Sequence, residues 1–161
     1  MSSLIIDFIV YQKKYYDDCL HLFDENCPTF FAINERQDYL KFLDSNPSQY
    51  YLVKLRKAKQ EGGIVSGFGL MFEHNIADRN SSRRGRLSWM LVMREAHRMS
   101  IGSSMMEYGI KTAKEQSLVA IDIAASHLSA PFFSRFGACT LCKIPNGWGE
   151  GMHKVDMEIV L

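Results

Sequence analysis

One segment restricts the fold of this chain more than any other, because it joins two strand patterns through a helix. Residues 86–93 are apolar on both faces, as expected for a strand at the centre of a sheet. Residues 101–116 carry apolar side chains at helical spacing, and a second strand pattern over residues 118–125 follows almost at once. A helix that joins adjacent strands in this way makes a right-handed parallel crossover. The sequence therefore predicts a sheet that contains a parallel pair.

The remaining patterns place further strands and helices around this crossover. Apart from the crossover, neighbouring strands are predicted to form hairpins. The expected fold class is α/β (α+β), with a central mixed, mostly antiparallel seven-stranded sheet flanked by about four helices. The whole chain, residues 1–161, is expected to form one domain. The further strands are predicted at residues 4–10, 50–55, 64–72, 138–144 and 152–161, and the further helices at residues 12–26, 34–45 and 131–136.

Composition and charge narrow the class of protein. With 47% hydrophobic and 23% charged residues, the 161-residue chain has the balance of an ordinary globular domain and enough length for a hydrophobic core. The net charge of +1 argues against a dedicated nucleic-acid-binding protein. No apolar run approaches the ~20 residues that a membrane span needs. We therefore expect a cytoplasmic protein without a membrane partner, and the sequence leaves open whether it is a monomer or a homodimer.

The four cysteines are predicted to be thiols, because a chain with this much core does not depend on disulfides. Cys139-x-x-Cys142 has the spacing of a redox or metal-binding pair. It lies in an apolar strand pattern with no second ligand pair, and a strand directs residues three apart to opposite faces. We therefore expect both cysteines to be structural filler, and we predict no metal site.

The crossover also contains a turn of small residues that is suited to bind an anion. Met99-Ser100-Ile101-Gly102-Ser103-Ser104 leads from the strand directly into the helix. Helix N-termini leave backbone N–H groups unpaired and carry a partial positive charge, and small residues let an anion approach them. A phosphate or pyrophosphate site is one interpretation of this turn. The other is an ordinary strand-to-helix turn capped by Ser100.

Two motifs resemble those of the Gcn5-related N-acetyltransferase (GNAT) superfamily. In the acyl-CoA-binding motif of that family, a strand ending in Val-x-Pro precedes Arg/Gln-x-x-Gly-x-Gly/Ala. Here Val92-Met93-Arg94 and His97-x-x-Ser100-x-Gly102 occupy the two parts, with departures at Arg94, His97 and Ser100. Residues 126–138 resemble the downstream Asn-x-x-Ala-x-x-Phe-Tyr-x-x-x-Gly-Phe pattern. The predicted order of elements is also the family's order over essentially the whole chain.

The resemblance implies that acetyl-CoA is the co-substrate and that main-chain groups hold most of it. The pantetheine arm would pair with the strand before the turn, and the turn would bind the pyrophosphate. The N–H group near Val92 would polarise the acetyl carbonyl. The residues that the resemblance places at the cofactor are Met90, Leu91, Val92, His97, Arg98, Met99, Ser100, Ile101, Gly102, Ser103, Ser126 and Phe133.

The catalytic groups are harder to place. Phe133 stands where the family commonly has a tyrosine that protonates the leaving thiolate, and phenylalanine has no such proton. The candidate catalytic residues are Glu73, at the end of the strand beside the cofactor strand, and His127. The thiolate would otherwise take its proton from water or from another side chain.

Acceptor specificity is expected from the first two helices, with Phe30 and Phe31, and from the last hairpin near Trp148. The predicted function is an acetyl-CoA-dependent N-acetyltransferase, which transfers acetyl directly to an amine of a small molecule. The alternative is a non-catalytic acyl-CoA-binding sensor or interaction module, because Phe133 is consistent with lost catalysis. A nucleic-acid- or ribosome-associated factor, acting through the basic residues 79–86, is disfavoured by the net charge of +1.

Overall fold

The structure, a computed structural model, describes residues 4–73 and 83–161, and within them it confirms the predicted order of elements. Residues 79–82 of the basic segment lie outside the described residues. The α-helices are α1 (Tyr16–Asn26), α2 (Glu35–Asp44), α3 (Ile101–Glu115) and α4 (Ala130–Ser134), and single 3-10 turns cover Lys13–Tyr15 and Arg94–Ala96. The strands are β1 (Leu4–Val10), β2 (Tyr50–Lys57), β3 (Gly63–Met71), β4 (Arg84–Val92), β5 (Ala120–Ser126), β6 (Cys139–Gly149) and β7 (Met152–Val160).

The seven strands form one mixed sheet in the order β1-β2-β3-β4-β5-β7-β6. Only β4 and β5 are parallel neighbours in this sheet, and α3 connects them, as the sequence predicts. Their pairing is short, because Arg84–Leu87 of β4 faces Ala120–Ile123 of β5 and no paired residues follow. Beyond Leu87 and Ile123 the two strands diverge and leave a wedge open in the centre of the sheet.

Separate hydrophobic cores cover the two faces of the sheet. On one face, Ile101 and Met105 of α3 and Phe133 of α4 pack with sheet residues such as Phe68 and Ile121. On the other face, α1 and α2 pack against β2 and β4. The buried residues of this second core are Tyr11, Cys19, Leu22, Phe23, Tyr39, Leu43, Tyr50, Leu52, Ile64 and Leu91. The wedge between β4 and β5 therefore lies between a face covered by α3 and α4 and a face covered by α1 and α2.

Strand β4 contains a β-bulge beside the wedge. Gly67 of β3 pairs with Leu91 and Gly69 pairs with Ser88, so two residues of β4 face one residue of β3. Trp89, one of these two residues of β4, has a φ of 48°, which is a costly conformation for a bulky side chain. The hydroxyl of Tyr50 donates a hydrogen bond of 2.8 Å to the carbonyl of Trp89 and so holds the bulge in place.

Gly67 makes room for this hydrogen bond. A Cβ atom at Gly67 would lie 2.8 Å from the hydroxyl oxygen of Tyr50. A glycine inside a strand is expected where another group packs close to the backbone, and here that group is the Tyr50 side chain.

The last hairpin differs from the prediction in two respects. The segment 145–149, expected to be a loop, belongs to β6, which runs to Gly149 with an irregular register after Ile144. Cys139 and Cys142 are not structural filler, because both are exposed on this edge strand. A bulge between Thr140 and Cys142 also alters the expected alternation. Cys139 faces Glu158 and Cys142 faces Asp156, two residues on the same face of β7, so the cysteines do not point to opposite faces.

Among the described residues, no helix combines the length and the apolar character that crossing a membrane requires. Over the same residues, no three His, Cys, Asp or Glu side chains are arranged to hold a metal ion.

Candidate active site

The wedge between β4 and β5 opens into a cavity of about 650 Å³. Its lining combines residues from both faces of the sheet. Asn26, Phe30, Phe31 and Glu35 come from α1, α2 and their connection, whereas Gly102, Phe132 and Phe133 come from α3 and α4. Further lining residues from the strands are Ser88, Trp89, Met90 and Val92 of β4 and Ile123, Ala124, Ala125 and Ser126 of β5.

The edge of β4 presents main-chain polar groups to this cavity. In an antiparallel pair, alternate residues direct both their N–H and C=O groups to the same neighbour. Met93 donates its N–H to Val65 of β3 at 2.8 Å, so the N–H and C=O groups of Val92 point away from β3 and into the wedge. The Val92 N–H has no hydrogen-bond acceptor in the described part of the chain. It can therefore donate to an oxygen of a bound molecule.

The carbonyl of Val92 already has two partners. The side-chain amide of Asn26 donates to it at 3.0 Å, and Nε2 of His97 lies 2.8 Å from it. His97 also packs against Phe30, with ring centroids 5.8 Å apart. The imidazole thus lies between β4 and the connection from α1 to α2.

The turn that leads into α3 has, at Ser100, a backbone conformation that glycine adopts more readily than serine. Ser100 adopts φ 59° and ψ 22°, the left-handed conformation, and its side chain makes no capping hydrogen bond. The N–H groups of Arg98 and of residues 100–103 have no acceptor within residues 4–73 and 83–161. This arrangement favours the anion site over the turn capped by Ser100, because unpaired N–H groups at a helix N-terminus attract negative charge.

Aromatic side chains form the opposite end of the cavity. The ring of Phe31 stacks on Trp89, with centroids 6.0 Å apart and an interplanar angle of 22°. Trp148 is fixed by a hydrogen bond of 2.9 Å from its indole N–H to the carbonyl of Ala125. Beside it, Gly149 packs so closely on the α1–α2 connection that a Cβ atom there would lie 3.2 Å from Ala32 and from Asn34. The β6–β7 hairpin thus meets the α1–α2 connection and encloses this end.

Two polar residues of this end, Asn26 and Glu35, are functional candidates that the sequence did not single out. Glu35 is 6% exposed, and one carboxylate oxygen accepts the N–H of Ala32 at 2.7 Å. Burial raises the pKa of Glu35 from 4.5 to about 7. Asn26 is 3% exposed and gives its side-chain N–H groups to the carbonyls of Leu22 and Val92. Glutamate is common at the start of helices, so its position at the start of α2 did not mark Glu35 as a functional residue.

The structure brings most of the expected site residues to the cavity. Leu91 instead packs in the core under α1 and α2, and Ile101 packs in the core under α3. Four expected cofactor residues lie beside the cavity without lining it: Arg98, Met99 and Ser100 in the turn and Ser103 in the first turn of α3. The expected residues that do line the cavity are Met90, Val92, His97, Gly102, Ser126 and Phe133 on the cofactor side and Phe30, Phe31 and Trp148 on the acceptor side.

The two candidate catalytic residues lie outside the cavity. Glu73 follows the end of β3 and is exposed. His127 lines a separate cavity with His153, and its Nδ1 accepts the backbone N–H of His153 at 3.2 Å. The change of chain direction after Ser126 turns His127 away from the wedge. The structure therefore gives no support to a catalytic role for Glu73 or His127.

Comparisons with known proteins agree with this geometry. The model of the acetyltransferase (GNAT) family matches residues 17–138. The Ard1 structure from Thermoplasma volcanium has 12% identity and a TM-score of 0.74, with 97% of each chain covered. The ribosomal-protein-S18-alanine N-acetyltransferase from Escherichia coli has 12% identity and a TM-score of 0.71, covering 97% of this chain and 94% of that chain. The N-acetylglutamate synthase from Neisseria gonorrhoeae, complexed with coenzyme A and N-acetyl-glutamate, has 11% identity and a TM-score of 0.71. The match covers 98% of this chain and 35% of that chain. No curated protein sequence matches the chain.

Proposed function

The chain belongs to the GNAT acetyltransferase family, whose members are N-acetyltransferases that use acetyl-CoA as co-substrate, and we propose that its acceptor is an amine of a small molecule. The observation that carries this proposal is the enclosed acceptor end of the cavity. The β6–β7 hairpin at Gly149 contacts the α1–α2 connection at Ala32 and Asn34, and the cavity holds about 650 Å³. Because an acyl-CoA would occupy part of that volume, the aromatic acceptor end leaves room only for a compact ligand.

The residues of the cofactor side fit a bound acyl-CoA. The unpaired N–H groups at the start of α3 would hold the pyrophosphate, and Gly102 leaves the approach to them open. The open edge of β4, with Met90 and Val92, would pair with the pantetheine arm. Acetyl-CoA supplies the thioester whose acetyl group is transferred.

The residues of the chain contribute to transfer mainly through position and charge. The Val92 N–H is directed into the wedge and would polarise the thioester carbonyl, which is the part that gains negative charge during attack. Phe133 is buried against the cavity and has no proton to give, so the leaving sulfur takes its proton from water or from the amine itself. Trp148 and Phe31 would hold the acceptor against the acetyl group.

An acceptor screen tests this proposal. Thiol release from acetyl-CoA is measured with a panel of small primary amines and with short peptides that have free N-termini. We expect at least one small amine to have a kcat/KM at least about tenfold above that of every peptide, a preference of about 1.4 kcal/mol. Turnover confined to peptides would contradict the small-molecule acceptor. Acetyl-CoA binding by calorimetry without turnover of any amine would instead support the non-catalytic sensor.

A further inference from the structure

Glu35 is a buried carboxylate for which the described part of the chain provides no cation. It is 6% exposed, yet it takes part in none of the salt bridges formed by the described residues. Its neighbour Arg36 is directed away and pairs with Asp24 at 2.9 Å. A charged group is costly to bury without a partner. Such a carboxylate in a ligand cavity is suited to a positively charged ligand.

The two oxygens of Glu35 have different roles. Oε2 accepts the N–H of Ala32 at 2.7 Å, while the N–H of Glu35 donates to the carbonyl of Ala32 at 3.0 Å, so the side chain is held in one orientation. No hydrogen bond of the described residues involves Oε1, and Oε1 is not one of their fully buried unpaired atoms, so it can be reached from the cavity. Because Glu35 lines the cavity, this free oxygen is available to a ligand there.

Asn26 provides a second acceptor at the same end. Its Nδ2 donates to the carbonyl of Leu22 at 2.8 Å and to that of Val92 at 3.0 Å. Both amide hydrogens are then used, and Oδ1 has no donor in the described part of the chain. Asn26 is also within one hydrogen bond of Val92, whose N–H faces the wedge. A group bound by Asn26 therefore lies close to the site expected for the acetyl carbonyl.

We propose that Glu35 and Asn26 bind the ammonium group of the acceptor and that Glu35 is the general base of the transfer. This inference rests on the proposed function and names the chemistry of its acceptor, a primary amine next to an aromatic or apolar group. An ammonium has three N–H donors for Glu35 Oε1, for Asn26 Oδ1 and for solvent or substrate. The stacked rings of Phe31 and Trp89 favour a cation and an apolar body beside it.

The proton and electron balance of the step is simple. Glu35 takes one proton from the ammonium, and the freed nitrogen lone pair forms the bond to the thioester carbon. The carbon–sulfur bond breaks with its electron pair on sulfur, and the second amine proton passes to that sulfur. The products are the amide and the free thiol, and Glu35 releases its proton to solvent. A base with a pKa near the working pH is well matched to this role, and burial raises the pKa of Glu35 to about 7.

Other charged groups lie near Glu35 without contacting its carboxylate. Asp38 lies one turn farther along α2 and raises the pKa of Glu35 further, whereas burial is the larger cause. The basic or titratable side chains that line the same cavity from other elements are Arg86 of β4, His97 of the turn before α3 and Lys154 of β7. None of them forms a hydrogen bond or a salt bridge with Glu35 in the described structure.

A binding experiment tests the ammonium site without requiring turnover. With CoA present, calorimetry compares 2-phenylethylamine, a cation at neutral pH, with the uncharged 2-phenylethanol. We expect the wild-type protein to prefer the amine at least about tenfold at pH 8, and Glu35→Gln to lose that preference. A carboxyl with a pKa near 7 is about a tenth ionised at pH 6 and nine-tenths ionised at pH 8, so the amine affinity should rise about tenfold between them.

Kinetics of the same variants test the proton transfer. Glutamine keeps the size and the hydrogen bond to Ala32 but has no charge, so Glu35→Gln should lower kcat/KM about 10²-fold with an unchanged acetyl-CoA affinity. The acidic limb of the pH–rate profile near pH 7 should disappear in this variant and persist in Glu35→Asp. Asp44→Asn, which removes an exposed carboxylate from the same helix that does not contribute to the pKa shift of Glu35, is the matched control and should stay within twofold of wild type.

The outcomes separate this inference from the proposed function. If Glu35→Gln keeps the amine preference and the acidic limb while wild type acetylates small amines, the function stands and the role of Glu35 is overturned. If wild type turns over no amine but Glu35→Gln still loses the preference for 2-phenylethylamine, the ammonium site stands and the proposed function fails. Equal binding of amine and alcohol by wild type would overturn the ammonium site directly.

Discussion

The two ends of the cavity present different kinds of chemical group to a ligand. The cofactor end consists mainly of main-chain groups: the open edge of β4 at Val92 and the unpaired N–H groups before and within the first turn of α3. The acceptor end consists of side chains, including the stacked Phe31 and Trp89 and the carboxylate of Glu35. A site made of main-chain groups depends on the backbone conformation and not on the side chains, so Ser100 can stand in place of a glycine there. A side-chain site depends on each residue, and we therefore expect the identity of the acceptor to be set there.

The largest effect is expected on CoA binding, from a side chain that blocks access to the main-chain N–H groups at the cofactor end. A Cβ atom at Gly102 would lie 3.1 Å from the ring of Phe132, at the mouth of the N–H cluster. Gly102→Val should weaken CoA binding about 100-fold or more, about 2.7 kcal/mol, as measured by calorimetry. Gly109→Ala on the same helix is the control, because a Cβ there meets Phe68 at an ordinary 3.6 Å. Unchanged affinity in a folded Gly102→Val protein would remove the turn from the binding site.

The next effect concerns stability and comes from the acceptor end. Burial raises the pKa of Glu35 from 4.5 to about 7, so the folded protein binds a proton that the unfolded chain has released over this interval. The contribution of Glu35 to the free energy of unfolding is therefore fully present below about pH 4.5 and is lost as the pH rises through about 7. At pH 8 the loss amounts to no more than about 3 kcal/mol.

Urea unfolding of wild type and Glu35→Gln measures this effect. The stability of the glutamine variant relative to wild type should increase between pH 4.5 and pH 7 and then level off. The exposed Asp44→Asn variant of the same helix should show a nearly constant difference over the same interval. A flat difference for Glu35→Gln would mean that the carboxyl does not ionise in this range.

A smaller effect should separate the two ends kinetically. Phe31→Ala removes the ring that stacks on Trp89 and should raise the KM of the acceptor about tenfold, which is about 1.4 kcal/mol of lost contact. The KM of acetyl-CoA should change less than twofold. Phe132→Ala, at the cofactor end beside Gly102, should give the reverse pattern. If both variants affect the same substrate, the assignment of the two ends is wrong.

The smallest effect tests whether the side chain of Ser100 contributes to CoA binding. Ser100 has φ 59°, a conformation that costs a residue with a Cβ about 1 kcal/mol relative to glycine. Ser100→Gly should stabilise the protein by about that amount and change CoA affinity less than twofold. A clear loss of CoA affinity would show that the hydroxyl contributes to binding, and the cofactor end would then depend on side chains as well.

The order of elements could be predicted because each one leaves a local pattern in the sequence. The crossover through α3 is the best example, since a strand, a helix and a strand follow one another with short connections, residues 93–100 before α3 and 116–119 after it. The candidate anion-binding turn and Gly102 could be proposed from the same short segment. Phe30, Phe31 and Trp148 could be proposed because aromatic residues in loops are conspicuous, and all three line the cavity.

Features that depend on contacts between distant residues could not be predicted. The bulge at Trp89 is maintained by Tyr50, which is 39 positions away in the chain. The importance of Asn26 depends on its hydrogen bond to Val92, which is 66 positions away. The expected positions of Cys139 and Cys142 were wrong because a single extra residue in β6 changed the register with β7. Local sequence patterns carry no signal for such pairings.

The lining of the wedge by elements from both faces of the sheet has a consequence for the order of events during turnover. The acyl donor and the amine would occupy different compartments, so neither has to leave before the other binds. Initial velocities should then give intersecting rather than parallel reciprocal plots, as for a ternary complex. Free CoA should compete with acetyl-CoA for the compartment beside Gly102 and Phe132, but added acceptor should not overcome this inhibition.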